Sequence, residues 1–204
     1  MEAVLDVYAE PYDETQPVVC FDERPCQLLD DEIAPVPAQP GQAKRVDYHY
    51  VRQGVCNAFL VLEPLTGWRA IDITAQRTKT DFAGQMKTLV DAHFPQAQMI
   101  HVVLDNLNTH TPAALYEVFA PEDARRILKK LTFHHTPKHG SWLNMAEIEF
   151  SVLVRQCLKR RIGSMSRLKS EVAAYVTQRN AAKSTVRWQF SVQQARTTLG
   201  RLYP

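Results

Sequence analysis

Residues 99–110 read MIHVVLDNLNTH, in which an apolar run from Ile100 to Leu104 ends abruptly on an aspartate. A run this short, rich in β-branched residues and with little alternation, predicts a strand buried on both faces, as in the middle of a parallel or mixed sheet. The residues beyond it change character. Asp105, Asn106, Asn108 and His110 all carry atoms able to coordinate or hydrogen-bond, and Pro112 opens a helix. Asp105 either caps the turn or presents a carboxylate at the mouth of a sheet.

On either side of this stretch, period and punctuation predict the remaining elements. VVCFDE (18–23) reads as a strand, followed by an irregular Pro-, Gly- and Asp-rich connection through Gly41. Segments 46–55 and 58–63 are strand-like, with a turn or bulge at Gly54–Asn57, and 68–74 follows as a further strand after the turn at Pro64–Gly67. Thr80 and Asp81 start a helix in which Phe82, Met86, Leu89 and Val90 recur at helical spacing before Pro95 stops it. Helical stretches over 112–119 and 121–130, a short strand at 131–135 and helices from about Leu143 and over 166–182 complete the chain. Three strands first and alternation afterwards describe a mixed α/β sheet with helices on its faces.

The 204 residues carry a net charge of only +2, but the charge is divided. Residues 151–204 hold 11 Lys/Arg and a single acid, Glu171, leaving 13 basic and 21 acidic residues in 1–150. A basic segment of +10 against an acidic one of −8 points to a polyanion partner. No apolar run is long enough to span a bilayer, and the N-terminus lacks the order of a signal peptide. A cytoplasmic location with no membrane partner is therefore expected. Cysteines 20, 26, 56 and 157 form no CxxC pair and read as reduced structural thiols.

Asp22 lies near the end of the first strand, on the face of Val18 and Cys20, while Glu23 points the other way. If that strand and 100–104 are parallel neighbours, Asp22 and Asp105 meet, and two ionised carboxylates in contact demand a cation, typically a hard divalent metal. A third ligand is available in HTPKHGSWLNMAEIEF (135–150). Winding at about 100° per residue puts Glu147 in the apolar stripe of Leu143, Val154 and Leu158, and Glu149 between Gln156 and Arg160, facing solvent.

The ordered motifs FDE, LDNLNTH and TPKHGSWLNMAEIEF resemble the catalytic domain of DDE-type transposases, in the insertion-sequence branch related to the mariner elements, over about residues 17–190. That branch carries an aspartate in a first strand, a second in a D-N-x-x-x-H context and an acid in P-x-x-S-P-x-L-N-P-I-E. Asp22, Asp105 and Glu147 occupy those places. Met145-Ala146 replaces Pro-Ile, Gly140-Ser141-Trp142 replaces Ser-Pro-x, and Phe150 stands near the usual tryptophan.

The resemblance implies an RNase H-like fold with a five-stranded mixed sheet whose first three strands are antiparallel, flanked by helices. It implies two Mg²⁺ or Mn²⁺ ions held by Asp22, Asp105 and Glu147 as metal ligands and catalytic residues, with Asn106 and His110 supporting them from behind. The corresponding activity is metal-dependent DNA strand cleavage and strand transfer at transposon ends. Lys138, His139, Arg155, Lys159, Arg160 and Arg161 are the candidate DNA contacts, the partners are transposon-end and target DNA, and a homodimer is the candidate assembly. A bacterial, nucleoid-associated protein is expected, organised as a lead at 1–16, a catalytic core at 17–162 and a basic helical extension at 163–204 packed on the same domain. Only 17 residues precede Val18, whereas the branch normally places helix-turn-helix modules ahead of its catalytic domain, so the sequence reads as either a catalytic-domain fragment or a separately started reading frame, and autonomous end recognition is not expected of it.

Two rival readings stand beside this one. A zinc hydrolase would use His134 or His135 with His139 and Asp105, although His134 and His135 alternate across a strand. A catalytically silent, truncated transposase remnant would bind nucleic acid nonspecifically through its basic segment.

Overall fold

A computed structural model of the chain describes residues 1–202. Helix α1 (Glu2–Ala9) leads into β1 (Val18–Asp31), β2 (Tyr50–Glu63) and β3 (Trp68–Thr74); α2 (Lys79–Thr88) and β4 (Ile100–Leu104) follow. Helices α3 (Pro112–Val118) and α4 (Pro121–Leu128) lead to β5 (Leu131–His135), and α5 (Ala146–Leu153), α6 (Met165–Ala181) and α7 (Val192–Thr198) finish the chain. The strands form one five-stranded sheet in the order β3-β2-β1-β4-β5, with β1, β2 and β3 antiparallel and β4 parallel to both β1 and β5. The mixed sheet expected from the sequence is therefore present.

Alternation along the strands divides two cores. Val19, Phe21, Phe59, Val61, Val102 and Leu104 pack with α2, α3 and α4 on one face. Cys20, Leu60, Leu62 and Val103 pack on the other with α5, α6 and, at the rim, α1 and α7. Helix α2 begins at Thr78, whose side chain and that of Asp81 form a capping box, and it buries Phe82, Ala83 and Met86.

The first hairpin is longer than expected. β1 runs on to Asp31 and pairs with β2 from Cys20↔Leu62 to Asp31↔Tyr50. The sequence predicts an irregular path after Glu23 because Pro25 interrupts the pattern, yet β1 has lost β4 as a neighbour by then. The missing N–H of Pro25 can face that unpaired side. Segments 46–55 and 58–63 fuse into the single strand β2 from Tyr50 onward. The expected irregularity at Gly54 is a bulge in which the register shifts between Leu28 and Leu29, and Gly54 adopts a φ of 122° that a side chain would resist.

β3 is an edge strand, and α6 covers it. Asn180 accepts from the backbone N–H of Arg69 (2.9 Å) and donates to its carbonyl (2.8 Å), satisfying edge groups that would otherwise template another chain. Close approach continues at Gly67, where a Cβ would stand 2.7 Å from backbone atoms of Lys183 and Ser184. No helix among the described residues is long and apolar enough to cross a membrane.

Candidate active site

The parallel pairing of β1 with β4 ends at Cys20↔Val103, so two residues further on Asp22 and Asp105 occupy matching positions where the strands part. Asp22 follows the alternation of Cys20 and so belongs to the face covered by α5, while Asp105, just past the end of β4, turns its carboxylate to His110. This is also where strand order reverses, since β1 is followed in sequence by β2 on one side and flanked by β4 on the other.

The helix phase expected for the third carboxylate is overturned. Glu147 is exposed, whereas Glu149 is fully buried. Continuous α-winding from Leu143 to Arg160 does not exist. Ser141–Leu143 is a 3₁₀ turn, Asn144 is extended (φ −83°, ψ 112°), α5 proper starts only at Ala146, and Val154–Leu158 widens into a π-type turn. Within α5 alone the buried stripe is Ala146, Glu149, Phe150 and Leu153. Glu149 is not beside Arg160. It takes hydrogen bonds from Tyr175 (2.5 Å) and Arg179 (2.8 and 3.2 Å) and lies 3.3 Å from Nε of the fully buried Arg69. Burial alone would raise the Glu149 carboxyl, but Arg179, Tyr175 and Arg69 together hold it below its ordinary value.

Glu147 nonetheless lies near enough to Asp22 for its charge to act there. Burial, and next the charge of Glu147, push the Asp22 carboxyl up to about 7, with Asp105 and Glu23 adding to the rise and the N–H of Glu23, which donates to Asp22 across 2.8 Å, opposing it. Asn144 sets the approach: it is buried, donates to the carbonyl of Phe21 (2.8 Å) and accepts from the N–H of Ala146 (3.1 Å). The segment bearing Glu147 is thereby tied to the residue preceding Asp22.

Asp105 has its own support. His110 is buried, with Nδ1 2.7 Å from Asp105 Oδ1 and Nε2 2.8 Å from Glu23 Oε2, and its ring lies against Phe82 and Phe21. Burial would lower the imidazole, but Asp105 and Glu23 outweigh it and raise His110 to about 9, so the ring carries a proton at neutral pH. Glu23 was not singled out in the sequence beyond its outward alternation; its signal is a side chain on the face of Phe21 needing a cationic partner. Asn106, by contrast, is exposed.

The chemistry of the candidate donors, three carboxylates, suits a hard divalent cation. Among the described residues no three His, Cys, Asp or Glu side chains already stand at metal-ligand spacing. The zinc reading finds no such arrangement either: His134 Nε2 faces His101 Nδ1 at 3.0 Å, and His135 Nδ1 meets only the backbone carbonyl of Asp105 at 3.3 Å.

The basic segment is partly spoken for. Arg160 pairs with Glu171, Arg179 with Glu149, and Arg196 with Glu2. Arg161 binds Asp31 (2.7 Å) and the carbonyls of Asp47, Tyr48 and His49, clamping the base of the long hairpin. Three of its eleven basic residues, Arg161, Arg179 and Arg196, thus pair with acids of residues 1–150, and Arg160 with the segment's own Glu171, which charge counting along the sequence cannot detect. Lys138, His139, Arg155 and Lys159 are exposed.

A five-stranded sheet in this order, with acids at the parting ends of its two central strands, defines an RNase H-like α/β domain. The sequence profile of the DDE superfamily endonucleases matches residues 17–169, and the chain belongs to that family. Among solved structures it is similar to a Mos1 transposase paired-end complex with the left transposon end (TM-score 0.62, 14% identity, covering 94% of this chain and 59% of that one). It is also similar to the Mos1 mariner paired-end complex with Mn (TM-score 0.59, 13% identity, 90% and 56%) and the Mos1 strand transfer complex (TM-score 0.59, 14% identity, 90% and 54%). The chain spans a little over half the length of those chains. Among curated proteins no match is found.

Proposed function

We propose that this chain is a transposase catalytic domain that cleaves DNA strands and transfers them at transposon ends, with Asp22, Asp105 and Glu147 holding Mg²⁺ or Mn²⁺. The observation that supports the reading is the half-buried Asp22 at the parting ends of β1 and β4, raised to about 7 by burial and next by the charge of Glu147, with Asp105 adding to the rise, in a member of the DDE superfamily endonucleases. Bound divalent ions supply activation of the attacking water or 3′-hydroxyl and stabilisation of the leaving oxygen in an in-line displacement.

The protein's own groups position and charge the site. Asn144 fixes the distance between the Asp22 strand and the Glu147 helix. Protonated His110, anchored by Glu23, orients Asp105. Lys138, His139, Arg155 and Lys159 offer exposed cations and donors for backbone phosphates. Association of two copies would present two such sites to two transposon ends.

The test is conversion of supercoiled plasmid to the nicked form by the purified chain. Nicking in Mg²⁺ or Mn²⁺ that stops in EDTA is expected. DNA binding without nicking in either metal would overturn the catalytic reading in favour of a silent DNA-binding remnant.

A further inference from the structure

The loops after β4 and β5 leave the sheet at one edge, because those strands are parallel. The β5 loop, Pro137–Trp142, carries a feature that the cleavage chemistry does not use. Trp142 is 46% exposed, yet it is held from behind: Trp188 stacks on it at 6.2 Å and 23°, and Phe190 meets it edge-on at 5.8 Å. The support is itself anchored, since Tyr8 packs on Trp188 at 5.4 Å and its hydroxyl donates to the carbonyl of Leu143 across 2.8 Å.

In front of the indole lies a groove of about 440 Å³ lined by Pro137, Lys138, His139, Gly140 and Trp142, with Met1 and Glu2 at its far side. The loop is shaped closely there. His139 takes a φ of 63°, and a Cβ on Gly140 would stand 2.6 Å from the ring of Pro137. Trp142 is two residues from Asn144, which is bonded to Phe21, so the two Cα atoms are within about 7 Å. An ordered aromatic face and a cationic side chain thus sit together on the loop that leads into Asn144 and the helix carrying Glu147.

We infer that Trp142 is a stacking platform for an unpaired nucleobase of the DNA strand entering the candidate active site, with Lys138 taking the adjoining phosphate. The inference rests on the nucleic-acid reading proposed above and names a contact within it. A base has a π-face whatever its identity, so a lone indole backed by other rings accepts any of the four, while duplex DNA keeps its bases stacked and offers none. Strand cleavage creates unpaired ends, and an immobilised platform next to the reacting phosphate would hold such an end without ordering a side chain first.

The experiment compares the full chain, in metal-free buffer, on a fluorescein-labelled duplex with a four-nucleotide 3′ overhang and on a blunt duplex of the same length, by anisotropy. The wild type is expected to favour the overhang. Trp142→Ala should weaken overhang binding by about tenfold and leave blunt binding within about twofold, and Trp142→Phe should keep most of the preference. Trp142→Leu keeps apolar bulk without an aromatic face, so it should lose the preference as Ala does, even if Ala disturbs the loop. Equal affinity of the wild type for both duplexes, or retention of the preference by Trp142→Leu, overturns the platform alone. Failure of the wild type to bind either duplex overturns the platform together with the nucleic-acid reading. An overhang preference in a chain that never nicks upholds the platform and overturns only the catalytic reading.

Discussion

Asn144 donates its side-chain amide to the backbone carbonyl of Phe21 across 2.8 Å, joining the loop before Glu147 to the strand residue before Asp22. The same side chain caps the start of α5 by accepting from Ala146. Asn144→Ala leaves a carbonyl and an N–H buried without partners, which costs about 1–3 kcal/mol. Metal-dependent nicking should fall by at least tenfold, and melting by calorimetry should show the loss of stability. A variant that melts earlier but nicks normally would make Asn144 purely structural.

His110 provides a pH signature. Its folded value, raised to about 9 by Asp105 and Glu23 against the lowering effect of burial, lies above the ordinary histidine value. The stabilisation is therefore fully present below about pH 6.5 and is lost as pH rises through about 9. His110→Gln should cost more stability at pH 6 than at pH 10, as followed by urea denaturation at each pH. An equal cost at both would mean that the ring is held neutral.

Asp22 is raised as well, but for a different reason. Its folded value of about 7, raised first by burial and next by Glu147, exceeds the ordinary carboxylate value. Stability from this group is fully present below about pH 4 and is lost as pH rises toward 7. Asp22→Asn, which mimics the protonated form, should therefore melt higher than the wild type at pH 8 in EDTA, with the difference shrinking by pH 4.5. Mn²⁺ should reverse the ranking at pH 8 by stabilising only the wild type. A variant that melts lower than the wild type in EDTA would contradict the crowded-carboxylate account.

The basic surface should separate into DNA-binding and structural arginines and lysines. Lys159→Gln removes one exposed cation, so the slope of log affinity against log salt should fall by about 0.9 if it meets a phosphate. Arg161→Gln breaks its bonds to Asp31 and the carbonyls of Asp47, Tyr48 and His49 and should lower the melting temperature with little change in slope. Anisotropy titrations between 50 and 200 mM salt, run with thermal melts, distinguish the two. The reverse pattern would relocate the DNA path to the base of the hairpin.

The sequence carried most of the sheet. The strands at 100–104 and 131–135 are found at the residues expected, because short β-branched runs bounded by turn residues leave little choice. The assumption that brings the strands of Asp22 and Asp105 side by side, that they are parallel neighbours, holds. The far half of β1 was hidden by Pro25, whose tolerance depends on β4 ending early, a tertiary fact. The glutamates failed for a different reason. A single winding angle was carried through a 3₁₀ turn, an extended residue and a π-type turn, none of which has a clear mark in composition. Ala146, Phe150 and Leu153 did hold the signal for Glu149, as did the unusual Arg69 in an otherwise apolar strand and the Tyr175–Arg179 pair one helical turn apart.

The central claim, that Glu147 serves chemistry while Glu149 serves the fold, is tested most directly by measuring Mn²⁺-dependent nicking and melting temperature for Glu147→Gln and Glu149→Gln on the same DNA. Glu147 is exposed, so Glu147→Gln should abolish nicking and leave melting unchanged or slightly raised. Glu149→Gln leaves buried Arg69 without its counter-charge, which costs on the order of 3 kcal/mol, or about 6–12 °C in melting, while the chain that remains folded still nicks. Full nicking by Glu147→Gln would contradict the account, and the third carboxylate would then have to be sought elsewhere in the domain.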